Sequence, residues 1–132
     1  MAELVALVDT SLLIDYFRKG KKERSKLYHL HALDYTLSIS AVTEFEVYTG
    51  ASMDQLDFWE ELLRNIKVIP FATEEARMAS KIAAYLRSRR QQIAIPDLFI
   101  GCTAVVHDIP MATLNMQHFE RIPDLRFVDL PS

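Results

Sequence analysis

Short apolar runs alternate with stretches of helical spacing along this chain. Leu4, Val5, Ala6, Leu7 and Val8 form an unbroken apolar run that stops at Asp9. A run this short without polar alternation predicts a strand buried on both faces, as in a parallel sheet. Ser11 to Phe17 reads as a helix, with Thr10 or Ser11 at its cap. A basic cluster follows at Arg18, Lys19, Lys21, Lys22, Arg24 and Lys26, read as a solvated loop and helix start rather than a dedicated RNA patch. The next helix is expected over Glu23 to Leu33 and a second strand at Thr36 to Ile39. Ser40 can cap a helix over Ala41 to Thr49, which Gly50 would end. Asp54 is expected to cap a helix carrying Leu56, Trp59, Leu62 and Leu63 at helical spacing. Val68, Ile69 and Phe71 suggest a third strand, and Pro70 places it at a sheet edge.

Thr73 is then expected to cap a long helix, with Glu74 and Glu75 in its first turn, where the helix dipole favours acids. Ile82, Ala83 and Leu86 give it an apolar stripe, and Arg87, Arg89 and Arg90 mark its far end. After Ile95-Pro96-Asp97, a helix is expected from about Leu98 to His107. Met111 to Thr113 and Arg126 to Val128 close the chain as strands. This alternation predicts a three-layer α/β/α fold with a central, mostly parallel sheet, organised as one domain over residues 1–132.

Composition narrows the function. The chain has 132 residues, half hydrophobic and a quarter charged, which is enough to bury a core. Its one cysteine, Cys102, cannot form an internal disulfide and reads as a small buried residue. A reduced, cytoplasmic setting follows, and no cysteine-rich zinc site is available. No apolar segment has the length of a membrane span, and the start lacks the basic leader of a signal peptide. A net charge of −3 argues against a protein that coats nucleic acid through Lys and Arg alone. It leaves room for an enzyme that meets phosphate through metal ions.

In a parallel sheet, chemistry collects at the carboxyl ends of strands and at the helix starts beside them. Asp9, Glu46, Asp97, Asn115 and His118 all fall in such places. Each acid also has a plain structural reading: Asp9 as a helix cap, Asp97 as a first-turn acid, Glu46 as a surface residue. If the three acids converge, their mutual repulsion calls for a hard divalent cation, Mg²⁺ or Mn²⁺. Hydrolysis of a phosphodiester is the reaction class that fits.

At these residues the sequence resembles the PIN-domain ribonucleases, in particular the VapC toxins of toxin–antitoxin pairs. The likeness runs through Leu7-Val8-Asp9-Thr10-Ser11-Leu12-Leu13-Ile14 and Ile39-Ser40-Ala41-Val42-Thr43 with Glu46 and Gly50. It continues in Ile95-Pro96-Asp97-Leu98-Phe99-Ile100-Gly101-Cys102-Thr103-Ala104, then Thr113-Leu114-Asn115-Met116-Gln117-His118-Phe119 and Ile122-Pro123-Asp124-Leu125-Arg126. The resemblance implies a Mg²⁺- or Mn²⁺-dependent endoribonuclease, usually a homodimer held by a small antitoxin protein. Asp9, Glu46 and Asp97 match the acids that hold the metal and the attacking water. Thr10 or Ser11 matches the hydroxyl that supports the first acid. The resemblance also implies 3′-hydroxyl and 5′-phosphate products.

Glu44 competes with Glu46 for the second acidic place. Two residues apart on a helix means about 200° of rotation, so only one can face the site. Gly50, one turn on from Glu46, fits the family's Glu-x-x-x-Gly spacing and suggests a close backbone approach. Glu46 is therefore the choice, with Glu44 exposed. Asn115 departs from the family pattern, which often has Asp at that place. It can offer a carbonyl oxygen but no charge, so a single tight metal is expected. His118 could donate to a phosphate or be a loop histidine, and His29, His31 and His107 carry no motif.

The rival reading is a PIN-like scaffold that binds RNA or a protein partner without cutting. A response-regulator receiver would want an acidic pair near the first strand and a late Lys, and dinucleotide binding would want a glycine-rich turn. The residues match neither.

Overall fold

The computed structural model describes residues 3–130, so residues 1–2 and 131–132 of the expected domain lie outside the described residues. Among these residues four strands form one sheet: β1 (Val5–Val8), β2 (Thr36–Ser40), β3 (Lys67–Ile69) and β4 (Met111–Ala112). Their order is β3-β2-β1-β4, with every pairing parallel. β1 is central, and Ala6, Leu7 and Val8 are fully buried, as the unbroken apolar run predicts. β3 is an edge strand, in keeping with Pro70 just beyond it. The expected last strand shrinks to a single bridge between Met111 and Phe127.

Among the described residues six α-helices cover the sheet: α1 (Thr10–Arg18), α2 (Lys26–Ala32), α3 (Ala41–Gly50), α4 (Leu56–Leu63), α5 (Thr73–Ser88) and α6 (Ile95–Val106). The side-chain alternation of β1 divides the core in two. Ala6 and Val8 pack with Leu12 and Leu13 of α1, Leu27 and Leu30 of α2, and Trp59 and Leu63 of α4. Leu7 packs on the other face with Ala79, Ile82 and Leu86 of α5 and with Leu98, Ile100 and Cys102 of α6. The three layers expected from the sequence are present. Burial pushes the Cys102 thiol up to about 12, so this cysteine is a packing residue and not a nucleophile.

Several boundaries differ for local reasons. The helix expected over Glu23 to Leu33 is interrupted at Ser25, whose buried hydroxyl accepts from Tyr28 N–H and caps α2 after a single turn at Lys22–Arg24. α1 is capped by Asp9 rather than Thr10 or Ser11. Asp54 does not cap α4, which follows a single turn at Met53–Gln55; Ser52 stands at the cap of that turn, its N–H donating to the Gln55 side-chain oxygen. Thr73 does not cap α5: it is already the first helical residue, and Ala72 holds the cap position, its N–H donating to the Glu75 side chain at 2.8 Å. α6 begins at Ile95, three residues earlier than expected, because Pro96 suits the first helical turn.

Gly50 is the last residue of α3, and a Cβ there would meet nothing within 4 Å. The close approach expected at Gly50 occurs instead at Gly101, where a Cβ would collide with the Ile122 side chain. That glycine lets α6 lie tightly under the segment carrying Phe119 and Ile122.

Candidate active site

An open cleft of about 620 Å³ lies where β1 and β4 hand over to the segments that follow them. It is lined by Asp9, Thr10, Ser11, Glu46, Asp97, Asn115 and His118, together with Ile14, Asp15, Arg18 and Lys19 from the outer face of α1. All the acids and supporting residues singled out in the sequence therefore meet in one cavity, although Asp9 and Asp97 are 88 positions apart (97 − 9).

Asp9 is buried at 4% exposure at the end of the central strand. It caps α1, as its plain structural reading has it, and it faces the cleft as well. Its Oδ1 accepts from the Ser11 hydroxyl at 2.6 Å and from Leu12 N–H at 3.4 Å. Its Oδ2 accepts from the Thr113 hydroxyl at 2.6 Å. Burial nevertheless raises the Asp9 carboxyl above its ordinary value, against the pull of the Ser11 and Thr113 hydroxyls and the Leu12 and Ser11 N–H groups. All these donors are neutral.

Glu46 projects from α3 and accepts from the Thr10 hydroxyl at 2.7 Å. The two hydroxyls that the resemblance offered as alternatives thus divide the work: Ser11 holds Asp9, and Thr10 holds Glu46. Glu44 points elsewhere, but it is half-buried and not exposed. It lies near Tyr48, whose hydroxyl is raised by burial and then by the charges of Glu44 and Glu60.

Asp97 sits in the first turn of α6, with His118 Nδ1 3.7 Å from its carboxylate. Burial raises its carboxyl; the His118 ring opposes that, and the negative charges of Glu46 and Asp9 add to it. The three acids are therefore electrostatic neighbours. His118 is about half exposed and Asn115 is half-buried.

Thr113 is the residue that sequence reasoning passed over, treating it as the end of a strand. Its hydroxyl donates to Asp9 and accepts from Asn115 N–H at 2.9 Å, tying the first acid to the Asn115 turn. Ser11 does the same through Leu114 N–H at 3.0 Å. A threonine closing a strand beside a buried acid was the available signal.

The donor set is all oxygen, and no Lys or Arg pairs with Asp9, Glu46 or Asp97 among the described residues. Among those residues no three His, Cys, Asp or Glu side chains are grouped closely enough to cage a metal. The acids share a cleft without forming a ready-made three-carboxylate cage. Such a site suits a small hard cation that keeps most of its waters and takes one or two carboxylates plus substrate phosphate. The residues fit a hydrated Mg²⁺ in this sense, and a closed zinc site does not fit.

The PIN domain family model matches residues 6–125. A Ribonuclease VapC from Rickettsia bellii is 37% identical over 131 residues, covering 95% of this chain and 96% of that protein. Ribonuclease VapC1 from Methanocaldococcus jannaschii is 34% identical, covering 89% and 81%. Among solved structures, a toxin–antitoxin complex from Klebsiella pneumoniae contains a chain similar to this one, with a TM-score of 0.71 and 29% identity over 91% of this chain and 94% of that one.

Proposed function

The chain belongs to the PIN-domain family, among its VapC-type ribonucleases, and from that membership we propose that it is a metal-dependent endoribonuclease, the toxin of a toxin–antitoxin pair. The observation that carries the reading is the junction of Asp9, Glu46 and Asp97 in one cleft free of neutralising Lys or Arg at the acids. Asp9 and Asp97 would hold Mg²⁺, or Mn²⁺ in its place, and Glu46 would do so directly or through water. When bound, such an ion supplies positive charge to a phosphoryl oxygen and makes water a better nucleophile at neutral pH.

The chain's own residues set the stage for that chemistry. Ser11 and Thr113 fix both Asp9 oxygens, so the carboxylate needs no reorientation when substrate arrives. Thr10 does the same for Glu46. Asn115 would offer its carbonyl to a water at the cleft and adds no charge, which favours one tightly held ion over two. His118, beside Asp97 and open to solvent, would donate to a phosphate oxygen. No side chain need form a covalent intermediate, and the expected products are a 3′-hydroxyl and a 5′-phosphate.

The partners follow from the same reading. A small antitoxin would hold the toxin, as the Klebsiella pneumoniae complex holds its own. A second copy would cover the apolar patch of Val42, Phe45, Ile95, Pro96 and Phe99, where Phe45 is 66% and Ile95 57% exposed. The cytoplasm is the proposed location, in line with the unpaired Cys102; no helix among the described residues is long and apolar enough to cross a membrane.

The test is cleavage of purified transfer and ribosomal RNAs with Mg²⁺, with Mn²⁺ and with EDTA, beside Asp97→Asn made identically. Discrete cuts that need metal and vanish in the variant are expected. RNA binding without cutting in any metal would reduce the protein to a scaffold.

A further inference from the structure

The cleft has two ends of opposite sign, and only the acidic end is used in the function proposed above. Thr10, Ser11, Ile14, Asp15 and Arg18 recur at helical spacing, so one face of α1 forms a whole wall of the cavity. That wall starts at the acids and finishes at Arg18 and Lys19. At 1.5 Å per residue, the Asp9 and Arg18 positions are about 13 Å apart along the helix. Arg18 thus stands at the end of the wall opposite the acids.

A base in the last turn of a helix ordinarily satisfies the final carbonyls and the negative end of the dipole. Here another residue does that. Lys22 Nζ donates to the Tyr16 and Phe17 carbonyls at 2.7 and 2.9 Å. It also lies over the Tyr16 and Phe58 rings at 5.0 and 5.4 Å. The basic run is therefore not one solvated patch. Lys22 is a structural clasp, and Arg18 stays exposed at the cleft with no ion-pair partner among the described residues.

Lys19 is held in place beside it. Asp15 Oδ1 lies 3.3 Å from Lys19 Nζ, while Asp15 Oδ2 accepts from Lys26 N–H at the start of α2. The one acid near this end of the cleft is thus already engaged by a cation and a helix start. The guanidinium fork of Arg18 suits a phosphate and has no carboxylate to satisfy it.

We propose that Arg18, with Lys19 beside it, forms a subsite for a second phosphate of the substrate strand, at the opposite end of the cleft from the phosphate that is cut. The inference rests on the RNA-cleaving reading and names how that site holds its substrate. Arg18 is a binding residue here, Asp15 holds Lys19, and Lys22 closes the end of the helix on which Arg18 sits.

The experiment measures binding of a fluorescent single-stranded RNA to Asp97→Asn protein, with and without Arg18→Ala, across a salt series. Loss of one phosphate contact lowers the slope of log Kd against log salt by about 0.7 and weakens binding roughly tenfold at low salt. Arg18→Lys should keep the slope while losing part of the affinity. In otherwise wild-type protein, Arg18→Ala should raise KM for a long RNA and leave KM for a dinucleotide unmoved, since a dinucleotide has no second phosphate to place. If wild-type protein cuts RNA and Asp97→Asn does not, yet Arg18→Ala keeps both Kd and slope, the subsite is wrong and the nuclease reading stands. If wild-type protein cuts no RNA, the nuclease reading falls and the subsite falls with it.

Discussion

Two carboxylates in this molecule are almost equally buried, Asp9 at 4% and Glu75 at 3% exposure, and the fold treats them in opposite ways. Burial alone would raise both. At Glu75 that push is overcome by the Ala72 and Glu75 N–H groups, by the His107 side chain at 2.9 Å and by its charge, and the carboxyl ends below its ordinary value. At Asp9 four hydrogen bonds from neutral donors do not overcome it, and the carboxyl ends above. The difference lies in the surroundings: Glu75 has the His107 ring against it at 2.9 Å, whereas Asp9 shares its cleft with Asp97 and Glu46. Glu75 is completed by the chain and serves stability, joining α5 to the end of α6. Asp9 is held by neutral donors beside two other acids, and no Lys or Arg pairs with it among the described residues.

The comparison breaks most sharply at the cleft. Asp97→Asn should lower RNA cleavage by about 100-fold or more, because it removes several kcal/mol of charge stabilisation from the transition state. The same change relieves repulsion from Asp9 and Glu46, so its melting temperature without metal should equal or exceed the wild type. Cleavage assays and thermal melts on one preparation check both. Full activity, or a fold that melts several degrees lower, would place Asp97 with Glu75 as a structural acid.

Glu75→Ala should do the reverse. It strips the Ala72 N–H and the His107 ring of their partner and should cost about 2 kcal/mol. Activity per folded molecule should hold, as measured by cleavage normalised to the folded fraction. A loss of activity without a loss of stability would mean the two regions are not separable.

Thr113→Val sharpens the comparison within the site. It keeps shape, removes the donor to Asp9 Oδ2 and leaves Asn115 N–H without its acceptor. Losses of this kind in support of metal-binding groups cost roughly 10- to 100-fold in metal affinity or activity, and titration of cleavage against Mg²⁺ would show it. An unchanged Mg²⁺ dependence would leave Thr113 as a packing residue.

The fold was largely legible because apolar runs and helical stripes report burial directly. Ala6, Leu7 and Val8 read as doubly buried and are so. The acids were legible as types in places, but their convergence was not, since nothing in the spacing of Asp9, Glu46 and Asp97 states a distance. The errors were at short-range choices between chemically similar partners. Asp9, Thr10 and Ser11 can each cap a helix, and only three-dimensional placement gives Asp9 the cap, Thr10 to Glu46 and Ser11 to Asp9. The roles of Lys22 and Gly101 depend on what lies opposite them, rings in one case and Ile122 in the other. No linear pattern carries that.

The smallest effect tests the comparison by its sign. Glu75 has a lowered carboxyl in the fold, so its contribution to stability is fully present above the unfolded carboxylate value and is lost as pH falls through the folded one. Asp9 has a raised carboxyl, so the fold binds its proton more readily than the unfolded chain does. Its contribution is fully present below the unfolded value and is lost as pH rises through the folded one. In EDTA, the stability difference between wild type and Glu75→Gln should therefore favour wild type near neutral pH and shrink on acidification. The difference between wild type and Asp9→Asn should shift the other way, with wild type gaining on the variant as pH falls. Thermal melts of the three proteins from pH 7 down to about pH 2.5, below the lowered Glu75 carboxyl, would show the two differences moving in opposite directions. Parallel movement would mean that both acids are stabilised as anions by the chain alone, and Asp9 would then have no charge left unanswered for a cation to meet.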